Sequence, residues 1–428
     1  MRSTDIAIRE AAATFRDIEL DHPLRLAGAT VDRFTLAIVR VAAEDRAGRL
    51  ACGQGASVLS VPWSWPVSRL SWAARDLAMR ALTERLAATA LTTGPGDPFE
   101  ICAELAAGLT PKGDGAQDGG DGEPMPALAA ALALGAVDNA VHDGWARAAR
   151  RPATSLYEGF ALGRPRHLLP VQHVVGVGDP LESPGRRARP EPSVRGGEGR
   201  DHGGTAGPVR PLRAWLRAEG ITHVKVKLTG QDPVTDARRV ADVHRVLRRS
   251  PGGHHTISLD PNEGYAETSA VVELLDILRA SPAWEALTYL EQPLPRDAPP
   301  DPDGMRRIAD RLPVLADESL AAERDLPRLI EEGWSGLVVK AARGQSLAMR
   351  SLAHARDHGL RVTVQDLTAV DVALAHSARL AAALPLDWPA FEYNSRQYAP
   401  RANDGLPGHL VQVRQGHIVP GPARPGIL

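Results

Sequence analysis

The chain has 428 residues and a mass of 45.7 kDa, with 50 Lys plus Arg against 52 Asp plus Glu and a formal net charge of -2. That length suits two or three domains, or a large barrel with an accessory domain, and the near-neutral balance argues against a nucleic-acid binder held by phosphate contacts. Two cysteines, Cys52 and Cys102, cannot build a disulfide framework or a cysteine-rich zinc site, and they read as ordinary buried thiols in a reducing cytosol.

No run approaches the ~18 uncharged apolar residues of a membrane helix. The first residues lack an apolar signal core, and Arg9, Glu10, Arg16 and Asp17 follow soon after, so a cytoplasmic protein is expected. Within the first ~110 residues, a small α+β unit is expected. Residues 31–43 place Phe34, Leu36 and Ile38 on alternate positions, which predicts a half-buried strand. Leu50 to Gly55 can return as a second strand after a charged turn. From Val67 to Thr93 the apolar residues fall at helical spacing, and Gly94-Pro95-Gly96 ends that helix. Asp97-Pro98 starts a short one. Residues 111–124 and 179–208 are rich in Gly, Pro and charge and too poor in apolar residues to offset their ordering entropy. Both are expected to be disordered, the second as a surface insertion.

An Ala-rich helix is predicted over 126–150, and beyond it a rhythm sets in. Short apolar strands end near Val175, Lys227, Asp260, Glu291, Asp317, Lys340, Gln365 and Glu392, with helical runs between them. After the first step, which contains the insertion, the ends recur every 23 to 33 residues. Eight strands alternating with helices predict a parallel (β/α) barrel. A doubly wound sheet would want a Gly-rich phosphate turn after its first strand, and Gly176-Val177-Gly178-Asp179-Pro180 does not fit one.

Most of these strands end in an ionisable residue, and in a barrel the C-terminal strand ends line the active-site face. Side chains alternate on a strand, so Lys225 and Lys227 share one face, and the valines between and before them would pack on the helices. Two inward lysines would lower each other's proton affinity and supply a neutral amine as base. The competing reading is an edge strand with its lysines in water. The next three strands end in Asp260, Glu291 and Asp317. Three converging carboxylates repel unless a cation sits between them, and an all-oxygen set favours Mg²⁺. The competing reading is three unrelated helix caps, but Glu caps poorly, and Pro261 and Pro293 imply sharp turns instead. Lys340 ends the sixth strand, across the mouth from the second.

Together Lys225-x-Lys227, Ser258-Leu259-Asp260-Pro261-Asn262, Tyr289-Leu290-Glu291-Gln292-Pro293-Leu294, Leu315-Ala316-Asp317-Glu318-Ser319 and Val339-Lys340 resemble the enolase superfamily, in its muconate-lactonizing (mandelate racemase-like) subgroup. The resemblance covers nearly the whole chain. It implies a modified TIM barrel, (β/α)7β, over 126–400, an N-terminal α+β capping domain over 1–125, and a segment at 401–428 that returns to the capping domain. It also implies one Mg²⁺ on Asp260, Glu291 and Asp317, which stabilises the enediolate formed when a carboxylate substrate loses its α-proton. Lys227 would be the acid/base on one face, tuned by Lys225, and Lys340 the acid/base or cationic stabiliser on the other. The outcome is racemisation, epimerisation or cycloisomerisation, with syn-elimination as an alternative. The partner is a small-molecule carboxylate, with no nucleic acid or membrane, and a homo-oligomer is left open.

The seventh strand reads Val362-Thr363-Val364-Gln365-Asp366, without the His of the mandelate racemase branch. Asn262, Gln365, Asp366 and Glu392 are candidate substrate contacts. Dipeptide epimerases of the subgroup tend to carry Asp-x-Asp on the eighth strand, and Glu392-Tyr393-Asn394 is not that motif. Specificity loops are expected at about residues 20–30, with His22 and Arg25, and at 53–66, with Trp63 and Trp65 as a candidate lid. Two other classes fit less well. A zinc amidohydrolase would want His-x-His on the first strand, where Gln172-His173-Val174 stands, and a non-catalytic relative would not need all six ionisable strand ends.

Overall fold

A computed structural model describes residues 4–109, 118–119, 123–183, 209–298, 300–422 and 424–427. Residues 111–117, 120–122 and 184–208, which carry most of the expected disorder, lie outside the described residues. The first element is one that the apolar alternation did not reveal, a 20-residue strand β1 (Ile6–Arg25). Polar residues crowd its outer face, and register shifts between Ile8 and Glu10 and between Glu19 and Leu24 break the period. It pairs antiparallel with β2 (Thr30–Asp45), which pairs with β3 (Leu50–Leu59). Residues 20–25, expected in a loop, therefore lie on a strand. The turn is confined to 26–29, closed by Leu26 N–H donating to Ala29 O at 2.9 Å. Cys102 is buried, whereas Cys52 is exposed. The alternation that turns Gly53 inward turns Cys52 to solvent.

Three helices complete this layer: α1 (Trp72–Ala90), α2 (Pro98–Ala107) and α3 (Ala127–Ala148). Asp97 and Glu100 form a reciprocal capping box at the start of α2. Almost every residue of α3 is buried, because it packs against two bodies at once. Asn139 donates from Nδ2 to Ala56 O on β3 at 3.1 Å and to Ala341 O on the barrel at 2.9 Å.

The barrel strands are β4 (Leu169–Val175), β5 (His223–Lys227), β6 (Thr256–Asp260), β7 (Leu287–Glu291), β8 (Val314–Ala316), β9 (Gly336–Val339), β10 (Arg361–Val364) and β11 (Phe391–Glu392). They pair in parallel in the order β10-β9-β8-β7-β6-β5-β4-β11. A parallel bridge from Thr363 to Trp388 nearly closes the ring. A last strand, β12 (His417–Ile418), pairs antiparallel with β4. Val224, Val226, Ile257 and Leu259 are fully buried on the helix side, as period-two alternation requires. Inside the barrel, Tyr289, Leu315 and Val338 pack together with Trp388 against them.

The approach of α3 to β3 demands glycine. A Cβ on Gly55 would stand 2.2 Å from Ala140 N and 2.3 Å from Ala136 O, both helix backbone. Gly55→Ala should therefore cost about 3 kcal/mol of unfolding free energy, whereas Gly28→Ala, with nothing within 4 Å, should cost almost nothing. Urea melts of the two variants check this.

Candidate active site

Each barrel strand places its last inward residue at the same end of the ring. Lys227 is the register partner of Asp260 on the adjacent strand. Asp317, Lys340 and Gln365 each follow their strands by one residue, and Glu392 ends β11. Asp260, Glu291 and Asp317 are fully buried, and Lys225, Lys227 and Lys340 are nearly so. The edge-strand reading of the lysines is thereby overturned. Both point into the barrel, because Val224 and Val226 take the helix-facing side.

The charges interlock. Lys225 Nζ lies 2.6 Å from Glu392 Oε2, 2.7 Å from Glu291 Oε2 and 3.7 Å from Asp260 Oδ2. Lys227 Nζ donates to Asp260 Oδ2 at 2.5 Å. Lys340 Nζ lies 2.8 Å from Asp317 Oδ2 and donates to the backbone oxygen of Asp366 at 3.2 Å. Burial disfavours the Lys225 ammonium, but Glu291, Glu392 and Asp260 outweigh burial and hold its pKa well above the usual value. The expected mutual depression of the two lysines is therefore not what Lys225 shows, because Glu291, Glu392 and Asp260 surround its ammonium. Lys340 is also raised, with burial opposed by Asp317 and Glu291. Burial pushes the Glu291 carboxyl well up, and Asp260 and Asp317 repel its charge further. Asp260 is lowered despite burial, because Lys227 and Lys225 face it.

Both carboxylate oxygens of Glu291 and of Asp317 are buried without a hydrogen-bond partner. Lys225, Lys340 and Arg343, the last at 3.3 Å from Asp317 Oδ1, approach them as ion pairs. Glu291 and Asp317 make, with Asp260, three buried carboxylates from adjacent strands, an all-oxygen donor set that fits a hard divalent cation.

The backbone around these residues is held in uncommon conformations. Asn262, Gln292 and Thr368 have φ of 43°, 33° and 51°, each just beyond a strand-end acid or amide. Left-handed non-glycine residues cluster at sites where neighbouring contacts over-determine them. Gln292 shows how. Its Oε1 accepts from Asp317 N at 2.9 Å and Ser319 N at 3.1 Å, and its Nε2 donates to Ser319 Oγ at 2.8 Å, which locks two strand ends together. Arg343 does the same from behind, donating to the backbone oxygens of Asp317 and Leu320 at 2.6 Å. Neither residue was singled out in the sequence. Gln292 lies inside a motif that was, and Arg343 carries no local signal.

The remaining candidates divide. Trp63 reaches the mouth from the capping layer. Its Nε1 donates to Glu318 Oε1 at 2.8 Å, its ring lies 4.7 Å from Lys340 Nζ, and its backbone oxygen accepts from Arg296 Nη2 at 2.9 Å. Trp65 is buried within the capping layer and donates to Glu123 at 3.1 Å, so it is not brought to the mouth. Asn262 donates to Glu318 Oε1 at 3.1 Å. Gln365 turns inward and bonds Tyr289 OH at 2.9 Å, below the charged layer. Glu392 binds Lys225 and Asn394, the latter at 3.1 Å. His22 packs at a tilt against Tyr398, with 5.4 Å between ring centroids and 60° between ring planes.

A sequence profile described as enolase C-terminal domain-like matches residues 209–427. The chain belongs to this family. An aromatic dipeptide epimerase of Herpetosiphon aurantiacus is 30% identical over 189 residues, 41% of this chain and 49% of that protein. An L-Ala-D/L-Glu epimerase of Bacillus subtilis is 25% identical over 255 residues, 58% of each. The chain thus spans about half the length of the curated relatives it matches. Among solved structures, a 2-chloromuconate cycloisomerase from Rhodococcus opacus aligns with a TM-score of 0.66 at 21% identity, over 98% of this chain and 96% of that one. A dipeptide epimerase from Enterococcus faecalis, complexed with Mg and L-Leu-L-Tyr, aligns with a TM-score of 0.68 at 15% identity over 98% of each. These likenesses show the enolase-superfamily fold, a capping layer on a modified TIM barrel. Among the described residues no helix is long and apolar enough to cross a membrane.

Asp366 offers a test of the site's electrostatics. Burial and the nearby Glu392 push its carboxyl from 3.8 up to about 7, against backbone N–H groups that favour the charge. A carboxyl raised in the folded state loses stability as pH climbs from its unfolded value to its folded one. Asp366→Asn should therefore gain on the wild-type protein as pH rises from about 4 to about 7, by up to about 4 kcal/mol, and no further above that. Urea melts at acid and mildly alkaline pH check it, and an equal gain at both would sink the assignment.

Proposed function

We propose that the chain is an enzyme that removes the α-proton of a carboxylate substrate and returns a proton to the opposite face, as a racemase or epimerase; cycloisomerisation would use the same first step. The observation that carries this is the ring of interlocked charges from consecutive strand ends, with lysines on two sides of three buried carboxylates. Asp260, Glu291 and Asp317 would hold Mg²⁺, which when bound supplies positive charge where the substrate's second negative charge develops. Lys227, beside Asp260, takes the α-proton. Lys340 enters protonated, because Asp317 and Glu291 favour its ammonium against burial, and delivers its proton to the other face. Exchanging these roles runs the reaction backwards. Lys225 stays charged between Glu291 and Glu392 and fixes both carboxylates. Trp63 caps the mouth and helps to exclude water.

The names of the curated relatives support an epimerase reading. The substrate's α-amine is the point of departure. Glu392 is engaged by Lys225 on one oxygen and by Asn394 on the other, so the eighth strand has no free acidic pair for a dipeptide ammonium. An acylated amine fits better.

Hydrogen–deuterium exchange at the α-carbon tests the reading. N-acylated amino acids, dipeptides and hydroxy acids are incubated with the Mg²⁺-loaded protein in D₂O. Exchange should require Mg²⁺, stop with EDTA, and fall by about 10²–10⁴-fold in Lys227→Ala or Lys340→Ala. Exchange that persists in both lysine variants would falsify the two-base assignment.

A further inference from the structure

Outside the barrel a cavity of about 530 Å³ lies between three segments. They are the last turn of α3, the helix α4 (Asp371–Ala383) that follows β10, and the C-terminal stretch from residue 406 to residue 425. Val372, Ala375 and Arg379 stand three and four residues apart on α4, so one stripe of that helix faces the cavity. Leu406, Leu410 and Pro420 add apolar surface. The volume is that of a small-molecule site, and no lining residue belongs to the charged ring at the mouth.

The charges around this cavity do not balance. Arg147, Arg379 and Arg424 all line it. Arg147 Nε donates to Asp143 Oδ2 at 2.7 Å, so one guanidinium has its carboxylate. The backbone also holds Asp143, which accepts from Gln54 N at 2.9 Å and from Ile427 N at 2.7 Å. Arg379 donates only to carbonyls, from Nε to Pro420 O at 3.4 Å and from Nη1 to Ile427 O at 3.1 Å. Its Nη2 makes no hydrogen bond and is not closed off from solvent. Arg424 is exposed and makes neither a hydrogen bond nor an ion pair among the described residues. Burial first, then repulsion from Arg424 and Arg147, lowers the Arg379 pKa against the pull of Asp143, but a guanidinium stays protonated. His376 adds no charge, because burial, with Arg379 and Arg147 opposing Asp143, holds its pKa down to about 4. Two positive charges are left without a partner.

The C-terminal stretch crosses the arginines on glycine. A Cβ on Gly421, whose φ is 91°, would stand 3.2 Å from His409 Nε2 and 3.5 Å from Arg379 Nη2. No side chain covers the arginine head there, and a ring nitrogen stands beside it. We propose that this cavity binds a small phosphate monoester, its dianionic head on Arg379 and Arg424 and its apolar organic group along Val372, Leu406 and Leu410. The guanidinium fork matches phosphate oxygens bidentately. A phosphate monoester carries nearly two charges at neutral pH, enough to cancel both arginines. A carboxylate would cancel one and leave the other. The site is separate from the mouth, so its occupation requires neither metal nor turnover.

Four probes test this: phenyl phosphate, inorganic phosphate, benzoate and benzyl alcohol. Each is titrated calorimetrically into the full chain at about pH 8 and constant ionic strength, without added metal. Phenyl phosphate should bind at least about tenfold more tightly than benzoate and several-fold more tightly than inorganic phosphate, with benzyl alcohol weakest. Arg424→Gln should weaken phenyl phosphate by about tenfold or more. That side chain is exposed and unbonded, so the variant keeps the fold. Arg379→Gln should weaken binding at least as much. Arg245→Gln, an exposed arginine on the helix after β5, should leave it unchanged. No binding of phenyl phosphate, or binding that survives both cavity variants, overturns the site. So does an equal loss in Arg245→Gln, which would mark non-specific attraction. Benzoate binding as tightly overturns the dianionic head, and inorganic phosphate binding as tightly overturns the organic group.

Discussion

Three carboxylates from neighbouring strands face one another inside the barrel, and mutual repulsion in a place that water does not reach is the constraint on which the rest depends. Their burial would be prohibitive alone. Each is answered by a lysine from another strand: Asp260 by Lys227, Glu291 by Lys225 and Asp317 by Lys340. The pairing works only if the register of the sheet is right to the residue, because a one-residue slip would turn every charge into the helices. That explains why fixtures such as Gln292 and Arg343 tie strand ends together through the backbone. It also explains why left-handed residues are tolerated just beyond the acids.

The capping layer is held to the barrel by the same kind of obligatory contact. Helix α3 is sandwiched so closely that β3 must carry glycine beneath it, and Asn139 bonds both bodies. Asp143 adds the C-terminal end, accepting from Ile427 N at 2.7 Å. This docking sets where Trp63 stands. Its ring over Lys340 and its N–H on Glu318 belong to the charged layer as much as to the capping layer. Order in the site and docking of the two bodies are therefore coupled.

Much of the barrel was legible because its strands are short, end in ionisable residues and alternate cleanly. Asp260, Glu291, Asp317, Lys227 and Lys340 lie within a residue of the expected strand ends, and Lys225 two residues inside its strand. β1 was not legible, because bulges and a polar outer face hide its period. Trp63 and Trp65 could not be told apart from a pattern two residues long. The chain there forms a helical turn over Val61–Ser64, so side chains two apart diverge by about 200°. One tryptophan meets Lys340 and the other Glu123. Glu318 was quoted only as a neighbour of Asp317. Its contacts with Trp63 and Asn262 come from the capping layer and from the loop after β6, a tertiary fact with no trace in the local sequence.

The two ends of the mouth are thus unlike in a way that bears on recognition. On the β11 side, acid is present but spent internally, since Glu392 neutralises Lys225. On the β8 side, Glu318 is held on one oxygen by Trp63 and Asn262, and burial pushes its carboxyl up to about 8. A ligand cation gains most where an existing ion pair need not be broken, because removing one partner of a buried pair leaves the other unpaired. Freeing Glu392 for a ligand cation would leave Lys225 with one carboxylate fewer, so the β11 side serves to keep Lys225 in place.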